Sequence, residues 1–389
     1  MAIIFIPGIK GTELVDAYAL DHPGAWPREG ALPGDMIADP RRFSLAPGDT
    51  GAAHRLEAGR VVARLCAPLI HTLRTTLAPR PVHTFGYDWR QRLEYSARRL
   101  CLFMDEIIEH ERRAGRPGTL GFVTHSMGGL LLRSALTLRQ RVDPFEDIDR
   151  VVFIAPPFRG ALGSTFALVA GETDEWLGIG PAYRKIARSF PAVYQMTASW
   201  PDAAHDEDGT PLDLFDAASW QAGVSRGTSF RAGLLRDAEA FVRGPAARHG
   251  GHSAAPMLDD AALAGAADKV LVVCGSGEPT PTALPVLTRN APHPNWFDFE
   301  HMRMEPLGDG RVALRSAAVP HVPLAAFRHT GAHAVTCRDD RVIALASSWL
   351  AGRGAPRLAP RTPDEPVNRD MGYFDAWNGA LDSLVGHIA

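Results

Sequence analysis

The stretch Gly121–Arg133 constrains the fold more than any other part of the chain. It reads GFVTHSMGGLLLR: a short apolar run, a turn carrying a serine, and the start of an amphipathic helix. A strand that delivers a serine into a sharp turn, with a helix starting at once behind it, is the layout of a nucleophile elbow. Such a turn exposes the hydroxyl above the sheet. It also points the free N–H groups of the first helical turn toward developing negative charge. Close packing there calls for small residues, and Gly128 and Gly129 supply two of them. Thr124, two residues before Ser126, stands where the G-x-S-x-G pattern has glycine.

An elbow of this kind needs a sheet buried on both faces. Ile3–Ile6, Val151–Ala155 and Lys269–Cys274 are continuous apolar runs, as such strands require. Val82–Tyr87 reads as a further strand. Val61–Ala63 with Leu65–Leu77 reads as a helix. Ser96–Arg113 is an amphipathic helix with Leu100, Phe103, Met104, Ile107 and Ile108 on one face. Alternation of strand and helix from residue 3 to 155 predicts a mostly parallel α/β sheet flanked by helices. Residues 160–265 break the alternation and scatter Trp176, Trp200 and Trp220 among helical or irregular segments, which predicts an inserted, mostly helical cap. The expected division is a first core part at 1–159, the cap at 160–265, a second core part at 266–351 and a tail at 352–389. The tail is rich in Pro and Arg, with a terminal helix over Asp370–Ile388. Residues 20–60, rich in Gly, Pro, Asp and Ala, are expected to form a covering loop. Trp26 is the candidate lid aromatic within it.

Composition narrows the function classes. The chain has 389 residues, 46% of them hydrophobic, which is ample for a large core. A net charge of −3 gives no electrostatic case for nucleic acid. No apolar run approaches the roughly 20 residues that span a bilayer. The N-terminus lacks a basic region and reads as a first strand rather than a signal peptide, so a cytoplasmic location is expected. Cys66, Cys101, Cys274 and Cys337 show no metal or redox spacing and are expected to be free thiols. His329 and His333 are four apart with His321 near, but no H-E-x-x-H pattern surrounds them. Neither a metal nor a cofactor is expected.

A serine hydroxyl needs a base within hydrogen-bond reach, and the base needs a third group to fix its tautomer. In open α/β sheets such groups sit on loops at the carboxyl ends of strands. Ser126 follows a middle strand. Asp309 lies between glycines in the turn Leu307–Val312, after the strand at 269–274. His333 precedes the last helix, Asp339–Leu350. Ser, then Asp, then His is the chain order of the α/β-hydrolase fold. Asp298, Asp339 and Asp340 are alternative acids, and His329 is an alternative base. The glycine-rich turn Pro7–Gly11, after the first strand, is placed to offer a backbone N–H beside the nucleophile.

Several motifs together carry a family resemblance. They are Ile4–Leu14 (IFIPGIKGTEL), Tyr87–Arg90 (YDWR), His125–Gly129 (HSMGG), Val152–Gly160 (VFIAPPFRG), Ser189–Gln195 (SFPAVYQ), Gly275–Pro281 (GSGEPTP), Gly308–Val312 (GDGRV) and Gly331–His333 (GAH). From about residue 3 to 350 the sequence resembles the lecithin:cholesterol acyltransferase family, which includes phospholipid:diacylglycerol acyltransferases and lysosomal phospholipase A2. The resemblance implies an α/β-hydrolase with a cap and a triad of Ser126, Asp309 and His333, and it selects His333 over His329. It implies an oxyanion hole formed by the N–H groups of Ile9 and Met127. Tyr87, Asp88 and Trp89 join Trp26 as candidate lid or substrate contacts, although packing and ion pairing near the site floor are the preferred reading of Tyr87–Arg90. Arg311 stands where a threonine is common in the family. The secretory signal and paired lid cysteines of its extracellular members are absent.

The expected activity is therefore serine-dependent acyl transfer on a lipid or other hydrophobic ester, with water or an alcohol as acceptor and transient contact with a membrane surface. The competing reading is a catalytically silent member that binds lipid or a protein partner. The three residues in proper order argue against it.

Overall fold

The computed structural model describes residues 1–18, 24–26, 40–46, 55–171, 180–227, 229–253, 255–289, 291, 293–328 and 333–353. The terminal helix expected at Asp370–Ile388 and most of the covering loop lie outside these residues. So do Trp176 and His329.

Six strands form the central sheet: β1 (Ala2–Ile6), β2 (Val82–Thr84), β3 (Leu120–His125), β4 (Ile148–Ile154), β5 (Val270–Ser276) and β6 (Leu324–Arg328). Their spatial order is β6–β5–β4–β3–β1–β2, and every neighbouring pair is parallel. β3, which leads into Ser126, sits between β1 and β4, so the serine emerges from the interior of the sheet. Its register sets Ile6 beside Thr124 and Ile154 beside His125.

The period-two side-chain alternation of strands divides the core in two. Ile4, Ile6, Phe122, Val151, Phe153 and Val272 point to one face, where the helices Leu93–Arg113 and Gly128–Leu138 cover them. Ile3, Phe5, Val123, Val152, Ile154 and Val273 point to the other, beneath the helices Ala63–Thr76 and Asp340–Leu350. Each fully buried aliphatic or aromatic side chain contributes about 1.5–3 kcal/mol relative to exposure, so both faces hold the sheet firmly.

Some expectations shift. The long helix begins at Leu93 rather than Ser96, and the strand expected over Val82–Tyr87 ends at Thr84. Leu56–Val61 is a strand, antiparallel to Thr12–Asp16, so Val61 ends a strand instead of opening a helix. Between the strand ending at Ser276 and the turn Leu307–Val312, the chain is built around a further strand, Thr280–Leu287. This strand pairs antiparallel with Trp296–Phe297 and Arg303–Glu305, and parallel with Ala204–His205. Pro281 and Pro285 inside it conceal its strand character in the sequence. Between residues 160 and 265 the described elements are mostly helices, among them Leu162–Val169, Gly180–Ala187 and Ala232–Arg243, with the two-residue strand Ala204–His205 between them. Among the described residues no helix is long and apolar enough to cross a membrane.

Candidate active site

The elbow is strained and tightly packed. Ser126 has φ = 51°, in the left-handed region that costs a non-glycine residue about 1–2 kcal/mol. Two glycines make room for it. A Cβ on Gly128 would sit 2.6 Å from the carbonyl oxygens of both Ile6 and Pro7. One on Gly8 would sit 2.8 Å from Ser126 Cβ. The Ser126 N–H donates to the Ile154 carbonyl at 2.8 Å, and the Gly129 N–H donates to the Ser126 carbonyl at 2.9 Å. Thr124 is fully buried, and among the described residues its hydroxyl has no partner. An unsatisfied buried hydroxyl costs about 1–3 kcal/mol, which the elbow tolerates.

His333 opens a 3₁₀ turn, His333–Arg338, that runs up to the helix Asp340–Leu350. Its Nε2 lies 2.9 Å from Ser126 Oγ and its Nδ1 lies 2.6 Å from Asp309 Oδ2. All three residues are buried. Asp309 does not project freely from its turn: Oδ1 also accepts from the N–H groups of Arg311 at 3.1 Å and Val312 at 2.8 Å. Burial alone would push the Asp309 carboxyl up. The adjacent His333 imidazole and the two N–H groups outweigh burial and hold it below the ordinary carboxylate range. An ionised Asp309 can only accept, so His333 Nδ1 carries the proton and Nε2 presents its lone pair to the serine. That arrangement can remove a proton from Ser126 Oγ.

The turn carrying Asp309 rests on Thr280. Its Oγ1 accepts from the Gly310 N–H at 2.8 Å and donates to the Glu278 carbonyl at 2.8 Å. Gly308 packs so closely that a Cβ there would fall 2.5 Å from Thr280 Oγ1. The alternative acids lie elsewhere: the Asp298 carboxylate is bonded to His301, and Asp339 caps the last helix and pairs with Arg341.

Ser126 and His333 line a cleft that is open to solvent. Phe5, Ile9 and Leu65 give it apolar walls, and Lys10, Arg64 and Arg311 give it basic ones. Ile9 lies on this wall, whereas Met127 is buried behind the serine. Among the described residues neither the Ile9 nor the Met127 N–H donates to a backbone carbonyl. Lys10, with φ = 61°, places its ammonium 4.9 Å from the centre of the Tyr183 ring, which ties the turn to the helix Gly180–Ala187.

Tyr87, Asp88 and Trp89 are buried and bond to the protein itself. The Tyr87 hydroxyl donates to the Pro7 carbonyl at 3.0 Å, and the Trp89 indole N–H donates to the Thr12 carbonyl at 3.1 Å. They brace both ends of the Pro7–Gly11 turn from below. Asp88 pairs with the buried Arg90, whose remaining N–H groups donate to the carbonyls of Phe43 and Leu56, on either side of residues 47–54. Trp26 ends a short strand, Gly24–Trp26, and its side chain lies outside the described residues. Sequence reasoning missed two neighbours of the triad, Thr280 and His125. His125 was legible only as the residue before the serine, and Thr280 only as part of a Pro-Thr-Pro motif.

The geometry invites comparison with known proteins. Residues 78–213 match the lecithin:cholesterol acyltransferase family. The matched span takes in Tyr87–Arg90, the elbow and Ser189–Gln195, while Asp309 and His333 lie beyond it. No curated protein matches the chain. Among solved structures, the Tle4–Tli4 complex is similar over 92% of this chain and 99% of that chain, with 14% identity and a TM-score of 0.59. The mature form of the Bacillus licheniformis lipase BlEst2 aligns over 87% of each chain at 11% identity and a TM-score of 0.38. Phospholipase PlaB from Legionella pneumophila aligns over 82% of this chain and 46% of that one, at 12% identity and a TM-score of 0.35. The fold is that of the α/β-hydrolases: a parallel sheet flanked by helices, with the serine at the end of an interior strand.

Proposed function

We propose that this protein transfers acyl groups from a lipid or other hydrophobic ester through an acyl-enzyme on Ser126. The observation that carries the reading is the unbroken hydrogen-bonded series Ser126–His333–Asp309, which ends in an open cleft. His333 takes the proton from Ser126 Oγ as the oxygen attacks the ester carbonyl. The oxyanion is held by the Ile9 and Met127 N–H groups. His333 returns the proton to the departing alcohol, and Asp309 stabilises the imidazolium in between. Deacylation repeats the sequence with water or an alcohol as nucleophile.

The residues at 160–265 serve as a cap on a core made of 1–159 and 266–351. The Lys10–Tyr183 contact supports that arrangement. The cleft's apolar walls and basic rim suit an ester with a long apolar part and a polar end presented from a membrane surface. The test is incubation with an acyl-labelled phospholipid, with and without a long-chain alcohol. Free labelled acid marks hydrolysis, and a new labelled ester marks transfer. No turnover in either arm, on phospholipid or on a simple hydrophobic ester, would defeat the reading.

A further inference from the structure

The nucleophile and its base come from segments 207 residues apart, yet they meet at 2.9 Å. Positioning errors of about 1 Å can cost on the order of 100-fold in rate, so something must fix the one against the other. His125, the residue before the serine, makes a contact suited to that task. Its Nε2 lies 3.1 Å from the backbone carbonyl of His333. A carbonyl oxygen only accepts, so His125 Nε2 carries a proton and donates it. Thr336 Oγ1 donates to the same carbonyl at 2.9 Å. The His125 and His333 rings lie nearly face to face, with centroids 5.0 Å apart and a 31° tilt. Gly8 closes the other side of His125, where a Cβ would come within 3.3 Å of Nδ1.

Resting on the acyl-transfer reading above, we infer that His125 is a positioning residue that ties the main chain of His333 to the nucleophile's own strand. Because His125 is covalently joined to Ser126, its hydrogen bond closes a short bracing loop: serine, peptide bond, His125 side chain, His333 carbonyl, His333 ring and back to the serine. The brace touches no substrate atom. It acts on the rate at which Ser126 is activated and not on the affinity of the cleft.

The test compares His125→Phe, which keeps a flat ring and loses the donor, with His125→Gln, whose side-chain amide N–H can replace Nε2–H. A fluorophosphonate probe and a hydrophobic ester substrate are used on the full chain, with thermal unfolding as the check on folding. The expected result is a fall of about 10- to 100-fold in kcat and in the labelling rate for His125→Phe, with KM little changed. His125→Gln is expected to recover to within about threefold of the parent. Parent-like labelling of His125→Phe would overturn the inference, as would equal loss in both variants. If His125→Phe does not fold, His125→Met takes its place as the donor-free variant. Failure of both to fold while His125→Gln folds without activity would assign the residue to packing and overturn the brace. An unlabelled, inactive parent protein would instead defeat the acyl-transfer reading, so the two failures are distinguishable.

Discussion

The turns that present Ser126 and Asp309 do comparable jobs by different physics. The elbow is held by volume. Ser126 keeps a left-handed φ of 51° in room that Gly8 and Gly128 leave by lacking a Cβ, and a backbone hydrogen bond to the neighbouring strand at Ile154 helps hold it. The acid turn is held by polar bonds. Thr280 Oγ1 grips the Gly310 N–H, and the carboxylate takes two N–H groups of its own turn before it reaches His333. Of the two glycines at the acid turn, Gly308 lets the turn pack on Thr280, and Gly310 supplies conformation, with φ = 84° and nothing closer than 3.9 Å to an added Cβ. The glycine at the elbow supplies space. Added bulk should therefore break the first turn, and a deleted hydrogen-bonding group should break the second.

The sharpest way to sharpen that contrast is Asp309→Asn. The amide presents an N–H where a carboxylate accepted, and it favours the wrong tautomer of His333. The expected loss is about 10³- to 10⁴-fold in kcat with folding retained, read from ester turnover and thermal unfolding. Next in size is Arg90→Met beneath the elbow's partner turn. It leaves Asp88 buried without its guanidinium, with an expected loss of about 3–5 kcal/mol in denaturant unfolding. Gly128→Ala tests volume directly. Its methyl meets two carbonyl oxygens at 2.6 Å, and overpacking of this kind costs about 1–3 kcal/mol. Thr280→Val tests polarity: it keeps the shape but orphans the Gly310 N–H, for about 1–2 kcal/mol of stability. If Thr280→Val proves harmless while Gly308→Ala, whose methyl would fall 2.5 Å from Thr280 Oγ1, proves severe, the acid turn too is held by volume, and the comparison fails.

The smallest expected effect belongs to Cys66, which lines the same cleft as Ser126. Burial pushes its thiol up to about 12, so it stays protonated at neutral pH and is no rival nucleophile. Cys66→Ser is expected to leave fluorophosphonate labelling within about twofold.

How much of this was readable in the chain follows from the same distinction. The elbow's demand for small residues is local, and Ser126 with Gly128 and Gly129 spells it out within four positions. The inner sheet strands were legible because burial on both faces leaves uninterrupted apolar runs such as Ile3–Ile6, whereas the edge strand Leu324–Arg328 was not read as one. That Asp309 and His333 meet Ser126 was foreseeable from chain order and family motifs. Their support was not, because Thr280 and His125 act through contacts formed only once distant segments meet. The strand Thr280–Leu287 was concealed by its prolines. Leu56–Val61, with Gly59 and Arg60, reads as neither strand nor helix until Thr12–Asp16 lies beside it. Tyr87–Arg90 was visible as a motif, but its task of bracing the Pro7–Gly11 turn depends on hydrogen bonds to Pro7 and Thr12, about 80 and 77 residues away in sequence.

The central claim is that Ser126 becomes covalently acylated, and intact-mass analysis with peptide mapping after fluorophosphonate treatment tests it most directly. The account predicts one adduct per chain on the peptide that contains Ser126, absent from Ser126→Ala and strongly slowed in Asp309→Asn. An adduct on any other residue, or undiminished labelling of Ser126→Ala, would contradict it.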